Sequence, residues 1–116
     1  MIEKTLYDYL SETLEDPVYM EYPDNAPERF FILEKTGGNR VDQIAYATFA
    51  LQSYGGSLFS TSAMNNAGIN AMLGAVELDT VSSVSLNSDY NFPDTTRKKN
   101  RYQAVFNITH YDTGSE

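Results

Sequence analysis

The sequence predicts an α+β domain, an antiparallel sheet of four to five strands with two helices packed on it, in the order α-β-β-β-α-β-β. Three observations carry this. Apolar residues recur at four-residue spacing near the start of the chain. Two later stretches alternate apolar and polar residues over ten positions or so, the period of a half-buried strand. Strand-like segments also follow one another directly, so the two helices cannot both be crossovers of parallel βαβ units.

Residues 2–14 read as a helix, because Ile2, Leu6, Leu10 and Leu14 form one stripe while Glu3, Asp8 and Glu12 fall off it. Pro17 bars continuation. Val18–Tyr22 is a short strand candidate, followed by a loop with Pro23 and Pro27. Phe30–Thr36 is the next strand, and Gly37-Gly38-Asn39-Arg40 reads as a hairpin connection. Residues 43–54 form a long strand, with Ala45, Ala47, Phe49 and Leu51 on a core face. Tyr46, Thr48, Ala50 and Gln52 lie on the other face, half-exposed or covered by a partner.

Gly55-Gly56 ends that strand. Ser57, Ser60, Thr61 and Ser62 offer N-caps for a helix over roughly 59–76. Ala63, Ala67 and Ala71, with Ile69, Leu73 and Val76 beside them, are its predicted sheet-facing side. Gly68 and Gly74 each cost about 1 kcal/mol of helix propensity, so the helix needs tertiary support. Residues 81–86 form a strand. Residues 87–99, with Pro93 and several turn formers, read mostly as loop. The last strand is 101–111, with Tyr102, Ala104, Phe106 and Ile108 on one face, and the tail from Asp112 to Glu116 is expected to fray. Residues 1–116 form one domain, with no repeat or low-complexity tract.

Composition narrows the chemistry. There is no cysteine among the 116 residues, so disulfides, thiolate nucleophiles and cysteine zinc sites are excluded. The one histidine, His110, excludes a multi-histidine metal site within one chain and is the one residue a Ser-His-Asp site could use. No serine sits in a Gly-x-Ser-x-Gly frame, and neither glycine pair matches a phosphate-binding loop. The chemistry open to the chain as an enzyme is therefore thin, and a small ligand-binding or hydrolytic domain using His110 and Tyr111 stays as an alternative. A formal charge of −8 is the wrong sign for nonspecific nucleic-acid binding. No apolar run is long enough to span a membrane and the start lacks a signal peptide, so a soluble intracellular protein is expected.

The charge is unevenly placed. Arg97, Lys98, Lys99 and Arg101 are four of the eight bases, while the sixteen acids are scattered elsewhere, many in the N-terminal third. Three readings stay open: a solvated basic loop, a head-to-tail contact with the acidic surface of another copy, or a local phosphate contact. The nine tyrosines and six phenylalanines, with no tryptophan, suit strands and interfaces.

Several segments carry a resemblance. They are Glu34-Lys35-Thr36-Gly37-Gly38, then Gln52-Ser53-Tyr54 followed by Ser57 and a small-residue helix. The others are the stretch from Asn87 to Asp94 that includes Tyr90, and the ending Arg101-Tyr102-Gln103-Ala104-Val105-Phe106. Together they resemble a family of small late-morphogenesis proteins from long-tailed phages and prophages of Gram-positive bacteria. These are often labelled minor capsid proteins and are similar to tail terminators. The resemblance covers nearly the whole chain.

It implies a structural protein of the virion, with no reaction and no cofactor, assembled in the bacterial cytoplasm. Such a protein forms a ring, commonly a hexamer, that caps the tail tube, stops its growth and offers the head-joining surface. Its implied partners are further copies of itself, the tail tube protein and the head-tail connector, with DNA passing unread through the lumen. The contact candidates are Arg97, Lys98, Lys99 and Arg101, the hairpin residues Gly38, Asn39 and Arg40, and Tyr46 and Tyr90. A neck or connector subunit, or a true minor capsid protein, is the alternative within phage assembly.

Overall fold

The stripe of Ile2, Leu6 and Leu10 folds as expected into helix α1, Ile2–Thr13, and all three residues are buried. Leu14 caps it in an extended conformation, its N–H donating to the Leu10 carbonyl at 2.8 Å. Strands β1 (Val18–Tyr19), β2 (Phe30–Val41) and β3 (Ile44–Gly55) follow, then helix α2 (Leu58–Gly74), a 3-10 turn (Ala75–Glu77), and strands β4 (Val81–Asn91) and β5 (Asn100–Tyr111). The computed structural model describes residues 1–111, so the predicted fraying from Asp112 onward lies outside the described residues. The element order is the predicted one, and the class is α+β.

The five strands form one sheet in the order β1-β2-β3-β5-β4. It is mixed rather than wholly antiparallel, because β1 runs parallel to β2, pairing Val18 with Phe31 and Tyr19 with Ile32. The cause is the connection. Residues 20–29 loop back far enough for the chain to re-enter the sheet in the same direction, which a tight hairpin cannot do.

Three boundaries differ from expectation. Gly37, Gly38, Asn39 and Arg40 are not the hairpin turn but part of β2, which runs on to Val41. The turn is Asp42-Gln43, with Asp42 at a φ of 58° and Val41 opposite Ile44. The glycines serve a bulge between Lys35 and Gly37, and a Cβ on Gly38 would stand 2.7 Å from the Tyr46 carbonyl oxygen. Residues 87–91, read as loop, belong to β4. Its Ser, Asn and Asp side chains are turn formers by habit, but pairing with β5 along an outer edge overrides that habit, with bulges on the way.

The third difference is the face of α2. The Ser57 hydroxyl caps the helix as predicted, accepting from the Ser60 N–H at 3.1 Å. The buried side, however, is Thr61, Met64, Asn65, Gly68, Ala71 and Met72, while Ala63, Ala67, Leu73 and Val76 are exposed. Apolar and uncharged polar residues are mixed on every side of this helix, so it has no stripe to read. Close packing decides instead, since a Cβ on Gly68 would meet Leu51 at 2.8 Å and Phe31 at 3.2 Å.

Both helices lie on one face of the sheet. There Leu33, Ala47, Phe49, Leu51, Ala104, Phe106 and Ile108 join Leu6, Leu10, Met64 and Met72 in the main core. Asn65 donates to Asp89 at 3.2 Å and ties α2 to β4. The Tyr9 hydroxyl donates to the Ala71 carbonyl at 2.7 Å and ties α1 to α2.

Candidate functional site

The other face of the sheet has no covering layer over its middle. Cross-strand register puts Thr48 beside Asn107, Ala50 beside Val105 and Gln52 beside Gln103 there. Gln52 donates to Gln103 at 2.8 Å, and Gln103 donates to the Tyr90 hydroxyl at 2.6 Å, a polar ladder across three strands. β3 and β5 put no charged side chain on this face except Arg101, at its end. The chain carries no charge at all from Gln43 to Val76, which takes in β3 and α2.

At one end the open face acquires a small second core. Phe30, Ile32 and Tyr54 are buried against Tyr19 of β1 and Tyr22 and Ala26 of the 20–29 loop. Phe30 and Tyr54 stack at 4.6 Å, and Tyr22 meets both edge-on. The basic segment closes over this cluster. Asp94, only 4% exposed, accepts from the Tyr54 hydroxyl at 2.9 Å and from both the backbone N–H and the guanidinium of Arg97 at 3.1 Å. The Arg97 guanidinium lies 3.8 Å above the Tyr22 ring. Arg101 donates to the Tyr54 hydroxyl at 3.1 Å and to the Phe92 carbonyl at 2.7 Å.

These contacts set the electrostatics. Burial by itself pushes the Asp94 carboxyl up. The Arg97 N–H, the Tyr54 hydroxyl and the Arg97 guanidinium together outweigh it and hold Asp94 below the usual carboxylate range. Burial, then the hydrogen bond to Asp94, pushes the Tyr54 phenol up.

The basic run is therefore two things. Arg97, on the surface, and the more buried Arg101 are fasteners that hold the β4–β5 turn to the aromatic cluster. Lys98, at a φ of 56°, and Lys99 are exposed at its tip. The sequence reading missed Asp94, Tyr22 and Tyr54. One signal was available: Asp94 follows Pro93 and precedes Arg97 by three residues, a turn-start pattern with an acid beside a base.

The remaining contact candidates lie at the opposite end. Asn39 pairs with Tyr46 and Gly38 with Ala47, so Gly38, Asn39, Arg40 and Tyr46 share one β2–β3 arm, flanked by β5 up to its end, where Ile44 pairs with Tyr111. Exposed apolar side chains flank its polar turn: Val41 is 60% exposed, Ile44 40%, Tyr46 43%, and Tyr111 beside Ile44 54%. Tyr90 is not with them but on β4, bonded to Gln103 and edge-on to Phe92. The sequence reading also missed Phe59, 84% exposed at the start of α2. It had no signal there, since Phe59 reads as one more apolar residue of a buried helix.

His110 is buried on the helix face, opposite Ala45 and Val81, with Nδ1 3.3 Å from the Tyr111 carbonyl. A polar groove of about 500 Å³ opens beside it, walled by the arm and the first turn of α1. A more apolar groove of about 450 Å³ lies between α1 and α2. No helix among the described residues is long and apolar enough to cross a membrane. No family model matches the chain, and no curated protein matches it.

Proposed function

We propose that the chain is a ring-forming structural subunit of a long-tailed phage. It acts as the tail terminator that caps the tail tube, halts its elongation and presents the surface that joins the head. The observation that carries the reading is the placing of exposed apolar side chains at both ends of the molecule, in a chain of net charge −8. Val41, Ile44, Tyr46 and Tyr111 crowd the arm tip, and Leu58 and Phe59 stand out beside the other end of the sheet. Contiguous exposed apolar residues of this kind mark contact surfaces. Two such places on one subunit suit a head-to-tail contact, the kind that closes rings.

One further feature supports it. The exposed lysines at the β4–β5 tip give a cationic point that fits the acidic loop of a neighbouring copy, with Glu21, Asp24 and Glu28. In this reading DNA passes the ring without a basic surface to hold it, the ring is a hexamer, and the tube and connector proteins bind on either side.

The test is negative-stain microscopy of lysates from a phage with this gene deleted. Tails of irregular, excessive length lying apart from full heads are the expected result. Tails of normal length beside unattached or emptied heads would overturn the terminator assignment and place the subunit in the neck.

A further inference from the structure

Strand β4 ends the sheet. One of its edges bonds to β5, and the other has no strand beside it among the described residues. The free edge runs from Val81 to Asn91 with no proline, lysine or arginine, and Asp89, bonded to Asn65, is its one charged residue. Of the usual guards against strand addition it keeps only bulges. Backbone bonding fixes which groups face outward. The Tyr111 N–H donates to the Thr80 carbonyl at 2.9 Å and the Phe92 N–H to the Arg101 carbonyl at 2.8 Å, so residues 80 and 92 bond toward β5. Between them the register slips twice, from Val81 to Ser83 and from Leu86 to Ser88. Alternation through both bulges turns the N–H and C=O groups of Val81, Val84, Leu86 and Asp89 away from β5. These positions are symmetric about Ser85.

Beside this edge the apolar layer is incomplete. Ala63, Ala67 and Asn70 form the flank of α2 that lines the groove toward α1. The opposite flank is tied to β4 by Asn65, and Ile69, Leu73 and then Val76 of the 3-10 turn continue it at helical spacing. Leu73 is 38% exposed, Val76 43%, and Leu86, on the helix face of β4 opposite Phe106, 37%.

We propose that two copies of the chain join edge to edge, β4 against β4 and antiparallel, with a two-fold axis through Ser85. In that register Val84 of each copy faces Leu86 of the other, and Val81 faces Asp89, so the outward backbone groups bond in pairs. The two sheets become one, with both helix layers on the same side, and Leu73, Val76 and Leu86 of one copy meet the same residues of the other. A second copy is the occupant for three reasons. The outward groups are symmetric about one residue, which is what a two-fold pair requires. A lone peptide strand would cover the edge but not Leu73 and Val76, whereas a second copy brings its own α2 to cover them. Copies of a chain of net charge −8 repel one another, and α2 and this edge together contribute the single charge of Asp89. The pair is two-fold, so it is separate from the head-to-tail contact of the ring and does not depend on that reading.

The chain has no cysteine, so introduced thiols report the contact without background. Ser85 and Asn107 are cross-strand neighbours, both exposed on the open face of the sheet. In the pair, the two Ser85 Cα atoms stand about 4.5 Å apart, within disulfide reach. The two Asn107 positions are three strand spacings apart, about 14 Å, and out of reach. Purified Ser85→Cys should therefore oxidise to a disulfide-linked dimer about tenfold faster than Asn107→Cys, because pairing raises the effective concentration of the thiols. Equal rates at the two positions would show the open faces meeting instead, and that result, or no cross-link at Ser85→Cys, would overturn the proposal.

Sedimentation equilibrium tests it without thiols. The wild-type chain at high concentration should show twice the 13.0 kDa of one chain. Leu73→Glu/Leu86→Glu, at two exposed positions, should restore the single mass with an unchanged circular dichroism spectrum. A single mass for the wild type, or a paired mass for the folded variant, would discard the edge-to-edge contact.

Discussion

The two faces of the sheet are built from the same alternating strands and have opposite characters. On the helix-covered face most alternate residues of β3 and β5 are apolar and buried, with the polar Ser53 and His110 among them, and one core runs through it. On the open face the same strands offer Thr48, Gln52, Gln103 and Asn107, and only one end is closed, by two loops over Phe30, Ile32 and Tyr54. The first face is held by area removed from water, which any apolar residues of the right volume supply. The second is held by a buried carboxylate, two arginines and four aromatic rings, which work only in one geometry. Stability belongs mainly to the first face, and the second keeps its polar middle without a covering layer.

The comparison breaks first if the helix face is not the main store of stability. Phe106→Ala should cost about 3–5 kcal/mol and Leu6→Ala about 2–5 kcal/mol, because both side chains are fully buried. Urea unfolding measures this, and a loss below about 1 kcal/mol at either site would contradict the assigned core.

The closed end of the open face comes next. Asp94→Ala leaves the buried Tyr54 hydroxyl without its acceptor and frees the exposed Arg97, at a cost of about 1–3 kcal/mol. The same site sets an acid dependence. A carboxylate whose folded pKa is depressed stabilises the fold above its unfolded value and loses that contribution as pH falls through the folded one. The stability advantage of the wild-type chain over Asp94→Asn should therefore be constant at neutral pH and shrink below the ordinary value of 3.8. An advantage that did not change in acid would show that Asp94 is not held as an anion.

The smallest stability effect sharpens the division of the basic run. Lys98→Glu/Lys99→Glu should change stability by less than about 0.5 kcal/mol, since both side chains are exposed at the turn tip. It should still abolish joined particles if that tip meets an acidic neighbour. Reversing Arg97 and Arg101 as well would place new carboxylates beside Asp94 and unfold the end of the sheet, so a fourfold reversal could not separate folding from assembly.

How much was legible follows from where the information sits. Period-four and period-two patterns report burial against one neighbour, so α1, the core face of β3 and the core face of β5 could be read directly. The true turn at Asp42-Gln43 could not, because Gly37-Gly38-Asn39 has stronger local turn chemistry and is kept in the strand by its bulge and its pairing with β3. The buried side of α2 could not either, because its apolar residues surround the axis. Of the candidate site, the sequence showed a cluster of bases but not that two of them are anchored. Arg97 and Arg101 are spent on Asp94, Tyr22 and Tyr54, partners brought together by the sheet from distant parts of the chain.

By itself, then, the amino-acid order determined the class, the element order, the first helix and the core strands, since each is a matter of local propensity and one-sided burial. The tertiary structure alone decided the parallel entry of β1, the length of the arm, the face of α2 and the split of the basic run. Each of these is settled by a contact between residues far apart in the chain, where close packing or a buried charge outweighs what the neighbouring residues prefer.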